Sequence, residues 1–114
     1  TENRVAHILL QQAGDESDSE FADRVEAVQA ALDAGEEFAA VAAERSDDVG
    51  SAGNGGDLGF SAGDAFPEEM EAAIAELDVN TISEPVVTEA GTHFLLVTER
   101  RRKNWVWRSS VAGL

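Results

Sequence analysis

The chain has no cysteine and no tyrosine, only two prolines, and no long apolar run. The missing thiols exclude a disulfide scaffold and a thiolate zinc site, and leave no redox clue to the compartment. No stretch approaches the roughly 20 apolar residues of a membrane-spanning helix. Nor does a basic, apolar, small-residue leader open the chain, so it reads as a mature piece or an excised domain that does not itself enter a membrane. At 114 residues it makes one ordinary domain, able to bury about two-thirds of its unfolded surface without metal or cross-links.

Basic residues are scarce as well, and unevenly placed. Residues 1–99 set three bases, Arg4, Arg24 and Arg45, against all 23 acids, a balance of −20, while residues 100–114 carry five bases and no acid; the chain totals −15. Such a body repels nucleic acid and anionic lipid, whose recognition relies on Lys and Arg neutralising phosphate. It reads as an acidic surface suited to a salty medium, with no nucleic-acid partner.

What is present is periodic. "RVAHILL" (4–10) is apolar on both faces, as in a central strand covered on both sides. Ser17 with Glu20 has capping-box spacing, and Phe21, Val25, Val28 and Leu32 then mark one helical face closed by Gly35. Glu36 and Glu37 open a second helix buried through Phe38, Val41 and Ala42. Ser46 to Gly59 reads as a long functional loop. A third helix has Pro67 in its first turn and buries Met70, Ile74 and Leu77. "ISEPVVT" reads as a strand that Pro85 confines to an edge or a strand entry. "EAG" turns, and "THFLLVTER" closes with Phe94 and Leu96 on one face, His93, Leu95 and Val97 on the other. Strands joined by so tight a turn are antiparallel, so the class is α+β. The tail "RRKNWVWRSSVAGL", with Trp105 and Trp107, breaks the composition and reads as disordered or dependent on a larger context.

The glycine loop "GNGGDLGF" (53–60) invites three chemistries that its residues do not support. A dinucleotide fingerprint needs a third glycine where Leu58 stands, and a P-loop needs a lysine. An EF-hand needs ligands where Val49, Ser51 and Gly53 fall. Two histidines are too few for zinc, and Ser46 lies in no nucleophile elbow. No metal or cofactor is therefore expected. Gly53, Gly55 and Gly56 read as permission for sharp turns, Asp57 as a tie, and Gly59 as clearance beside a ligand. His7 and His93, each in an apolar strand, suit hydrogen-bonded core histidines as well as functional ones.

Four ordered blocks carry a more specific signal: "RVAHILL", "EEFAAVAAERSDD", "GGDLGF" and "EPVVTEAGTHFLLVTE". In order and spacing they resemble the parvulin (PpiC-type) peptidyl-prolyl cis/trans isomerases, above all bacterial envelope members of the PpiD and SurA kind. The resemblance covers about residues 4–99. It implies a four-stranded antiparallel sheet wrapped by three to four helices over residues 4–100, with 101–114 as a basic tail. It places catalytic positions on His7, Asp48, Thr88 and His93, and substrate-binding ones on Leu58, Phe60, Phe66 and Met70. Met70 stands where parvulins usually have a phenylalanine. Phosphate-directed parvulins carry a basic cluster after the first strand, whereas this chain has "QQAGDESDSE", so the implied substrate is a non-phosphorylated Xaa-Pro segment. The resemblance further implies unfolded client polypeptides, outer-membrane or secreted proteins among them. It also implies a monomeric isolated domain and a periplasmic location, with any inner-membrane tether outside this segment. Isomerisation and chaperone-like holding are both compatible with it.

Overall fold

A computed structural model describes residues 2–101 of the chain; the tail expected to carry Trp105 and Trp107 falls outside them, from residue 102 on. In chain order the elements are β1 (Glu2–Leu10), α1 (Asp18–Asp33), α2 (Phe38–Arg45), α3 (Val49–Ala52), β2 (Asp57–Ser61), α4 (Glu68–Glu76), β3 (Val86–Thr88) and β4 (Gly91–Arg101). The strands form one antiparallel sheet in the order β2-β1-β4-β3. The α+β class and four-stranded sheet expected above are therefore present.

β1 lies centrally and pairs with β4 from Glu2↔Arg101 to Leu10↔Thr92. Strand alternation sorts its side chains between two cores. Ala6, Ile8 and Leu10, with Phe94, pack under α1 and α2. Val5, Leu95 and Val97 pack under Met70 and Ile74 of α4. Covering both faces explains why "VAHILL" is buried without interruption.

The helix ends follow their sequence signals. Ser17 Oγ accepts from the Glu20 N–H at 3.1 Å while Glu20 Oε1 accepts from the Ser17 N–H at 2.9 Å, a reciprocal capping box. At the other end Gly35 adopts φ +92°. Its N–H bonds Leu32 O and that of Glu36 bonds Ala31 O, which satisfies the last carbonyls of α1.

Three details differ from the sequence reading. The loop after Ser46 contains the helical turn α3, and β2 opens at Asp57, before the expected loop end at Gly59. Pro67 caps α4 in an extended conformation instead of entering its first turn, and Leu77 is the C-cap. β3 has only three residues, with Ile82 contributing an isolated bridge to Leu96. Pro85, lacking an N–H, stands between that bridge and the strand.

Candidate active site

Alternation also decides where the histidines point. His7 shares its parity with Val5, and His93 with Leu95 and Val97, so both rings lie on the α4 side of the sheet. The register pairs His7 with Leu95 and Leu9 with His93, which makes the two histidines diagonal neighbours on adjacent strands. Their rings stack with centroids 5.2 Å apart, and the Nδ1 atoms meet at 3.0 Å.

Each outer nitrogen has one further partner. His7 Nε2 lies 2.7 Å from Asp48 Oδ2. His93 Nε2 lies 2.7 Å from Thr88 Oγ1. Thr88 is fixed by its place at the end of β3 and by accepting the Ala90 N–H at 3.1 Å. Asp48 is the N-cap of α3, where its carboxylate accepts from the Gly50 N–H and, at 2.8 Å, from the Ser51 hydroxyl. The preceding segment is stitched to β1: Asp47 N–H donates to Leu9 O at 2.7 Å, and Ser46 Oγ accepts from the Leu9 N–H.

These contacts set the charges. The hydrogen bond from His7, then that from Ser51, holds the Asp48 carboxyl below its usual range against the opposing effect of burial. His93 is pushed down to about 4, first by burial and then by His7, with Asp48 pulling weakly the other way. At neutral pH Asp48 is thus ionised and His93 neutral. His93 then has one ring proton for two partners. With a single proton on each ring and the His7 Nε2–H donating to Asp48, one arrangement satisfies every atom: the His93 Nδ1–H donates to His7 Nδ1, and the Thr88 hydroxyl donates to His93 Nε2.

An apolar surface adjoins this chain on the same face. Leu58 and Phe66, both half-buried, pack on the cluster that contains Met70. Leu58 reaches it through a bulge: β1 pairs Val5 with Gly59 and Ala6 with Asp57, which leaves Leu58 without a partner. Gly59 supplies φ +82° there, a conformation that requires a glycine, and has open space around it. Asp57, expected as a tie, receives Arg4 in two hydrogen bonds, at 3.1 and 2.8 Å.

The site residues do not all sit as expected. Met70 is 2% exposed, inside the cluster on which Leu58 and Phe66 pack. Phe60 stands outside the cluster; the Arg101 guanidinium carbon lies 3.9 Å from its ring centre. Gly53 has an ordinary helical conformation and open space, so no glycine is required there. Gly56 is the demanding position: at φ +82° its carbonyl accepts the His7 N–H at 2.9 Å, and a Cβ would run into the His7 carbonyl. Sequence reasoning missed Ser51, although an Asp followed three positions later by Ser before a turn is a capping signature.

A four-stranded antiparallel sheet with two stacked histidines on one face, flanked by a carboxylate, a threonine and an apolar shelf, is the architecture of a parvulin-type rotamase domain. The chain belongs to the Rotamase family of PPIC-type PPIASE domains, whose model matches residues 7–99. It is 39% identical over 110 residues to a Chaperone SurA of Methylobacillus flagellatus, covering 96% of this chain and 25% of that protein. It is 44% identical over 104 residues to a Foldase protein PrsA of Oceanobacillus iheyensis, covering 90% of this chain and 31% of that one. The chain thus spans between a quarter and a third of the length of these two relatives. A crystal structure of a PpiC-type peptidyl-prolyl cis-trans isomerase domain superposes with a TM-score of 0.77 at 27% identity, covering 89% of this chain and 92% of that one.

Proposed function

We propose that residues 4–100 form a peptidyl-prolyl cis/trans isomerase domain acting on non-phosphorylated Xaa-Pro segments of unfolded or folding polypeptides. The observation that carries this reading is the single face shared by the Thr88–His93–His7–Asp48 chain and the Leu58–Phe66 shelf. Leu58 and Phe66 hold the prolyl ring over Met70, and Asp48 addresses the amide.

The barrier to rotation, roughly 18 to 20 kcal/mol, is amide resonance, which places negative charge on the carbonyl oxygen of the planar form. An ionised carboxylate facing that oxygen destabilises the planar amide. Twisting returns the electron pair to nitrogen and relieves the repulsion, so the site favours the transition state without any covalent bond to the substrate. The hydrogen bonds from His7 and Ser51 keep Asp48 charged and oriented for this role. His93 and Thr88 orient His7 in turn.

Preference for a non-phosphorylated segment is supported by the surroundings of Arg24, the cation nearest the acidic stretch after β1. Its guanidinium is taken up by Glu16 at 2.8 and 3.0 Å, by Gln11 O and by Asp47. A phosphate arriving there meets carboxylates.

The test is cis/trans exchange spectroscopy on a panel of Xaa-Pro peptides, with Asp48→Ala and Asp48→Asn compared against the parent. Both variants are expected to lose roughly 10- to 100-fold in rate, the scale of removing one electrostatic stabiliser. An unchanged rate removes Asp48 from the mechanism.

Chaperone-like holding is the second reading. It is favoured by the methionine floor, since an unbranched thioether adapts to many side chains where a phenylalanine would fix one shape. Equal affinity for proline-containing and proline-free peptides without rate enhancement selects it. On either reading the clients are unfolded polypeptides, secreted or outer-membrane proteins among them. The domain acts as a monomer in the cell envelope, and no helix among the described residues is long and apolar enough to cross a membrane. Fractionation of the full-length protein tests a periplasmic location and tethering through another segment.

A further inference from the structure

Phe66 stands at the end of a stretch, residues 62–66, that belongs to neither β2 nor α4. Some other contact must therefore fix the direction of its ring. One carboxylate oxygen supplies it. Glu71 Oε2, on the first turns of α4, accepts the Phe66 N–H at 2.9 Å, the Ala65 N–H at 3.1 Å and the Ser61 hydroxyl at 2.6 Å. Ser61, 2% exposed at the end of β2, in turn accepts the Gly63 and Ala65 N–H groups. The stretch between strand and helix is thus closed around one buried hydroxyl and one anion, and charge-assisted bonds of this kind are about twice as strong as neutral ones.

The neighbour of Glu71 makes the arrangement functional. Met70 belongs to the buried cluster on which Phe66 packs, while Glu71, the next residue, grips the Phe66 backbone. One helical turn therefore sets both the floor and the wall of the shelf. We propose that Glu71 is a positioning residue for the prolyl subsite, pinning the Phe66 backbone so that its ring stands as a fixed wall over Met70, with Ser61 as the second anchor. The proposal rests on the reading of Leu58 and Phe66 as the prolyl-binding surface. Glu71 touches no reacting atom, so its loss acts on substrate binding more than on rotation.

Glu71→Ala is expected to raise KM in the exchange assay about tenfold while leaving kcat within about threefold, since it loosens a wall and leaves Asp48 in place. Glu71→Gln, whose amide oxygen accepts one N–H without the charge, falls between the two. In the amide spectrum the Phe66 and Ala65 N–H signals move upfield in both variants while those of His7 and His93 stay. Val28→Ala, a truncation in the opposite core, serves as the stability control: it lowers the melting temperature and leaves KM unchanged. A KM for Glu71→Ala within twofold of the parent, or a rise no greater than that of Val28→Ala, overturns the proposal. If Glu71→Ala does not fold, Ser61→Ala decides: a two- to threefold rise in KM with a shifted Phe66 amide supports it, and no change in either overturns it. Should the parent domain enhance no exchange, the isomerase reading falls separately. Peptide affinity mapped by chemical shift then replaces KM, and an unchanged affinity in Glu71→Ala sinks the positioning role by itself.

Discussion

At the scale of single residues, the histidine pair converts burial into pH dependence. His93 is 3% exposed, and its folded pKa of about 4 lies below the ordinary 6.5. As pH falls through 6.5 the unfolded chain takes up a proton that the folded one refuses, so stability drops from pH 6.5 down to about 4 and then levels off for this group. The depressed Asp48 carboxyl extends the loss to lower pH, because its contribution is present above its unfolded pKa and disappears as pH falls through the folded one. Chemical denaturation between pH 7 and 4 is expected to show a loss of up to about 3 kcal/mol from His93. The same slope should vanish in His93→Leu, and a ring titration midpoint near 6.5 would contradict the assignment. Gly56 gives a second residue-scale prediction. Gly56→Ala forces a side chain into the left-handed region against the His7 carbonyl, with an expected loss of about 2 to 3 kcal/mol measured by urea unfolding.

At the scale of elements, most of what is visible in the structure was legible beforehand where a signal was local. The capping box at Ser17 and the left-handed Gly35 bounded α1 because each acts within one turn. The turn α3 was hidden, since four residues cannot show a helical period and its cap, Asp48, also suited other roles. β3 came out shorter than its apolar run because Pro85 interrupts the ladder. The end of α4 was equally hidden. It is held by Arg100 from β4, whose guanidinium donates to Ile74 O and, at 2.7 Å, to Leu77 O. Arg100→Ala is expected to cost about 1 kcal/mol, seen as a lower melting temperature and faster amide exchange in the last turn of α4. Unchanged exchange there would show that the cap is dispensable.

Across the whole molecule the acidic balance dominates. The net charge is −15, and the three bases of the acidic body are few; Arg4 and Arg24 are already paired with carboxylates. Self-repulsion of this size is screened when salt shortens the Debye length from roughly 10 Å at 0.1 M to 3 Å at 1 M. The melting temperature should therefore rise by several degrees over that range, on the scale of roughly 4 to 8 °C per kcal/mol for a domain of this size. A fall would mean that the ion pairs outweigh the repulsion.

The sequence by itself determined the segments, their buried faces, the central place of β1 and the acidic surface, because strand and helix periods report locally which side of an element leaves water. It also assigned each histidine the parity of the apolar neighbours in its own strand, while the β1–β4 register put the two on one face. Only the tertiary structure decided that their rings touch, that Asp48 closes one end of the chain, that a bulge delivers Leu58 while Phe60 goes to Arg101, and that Met70 is buried. Those outcomes depend on strand register and loop closure between residues 41 and 86 positions apart, and no local period encodes contacts at that distance.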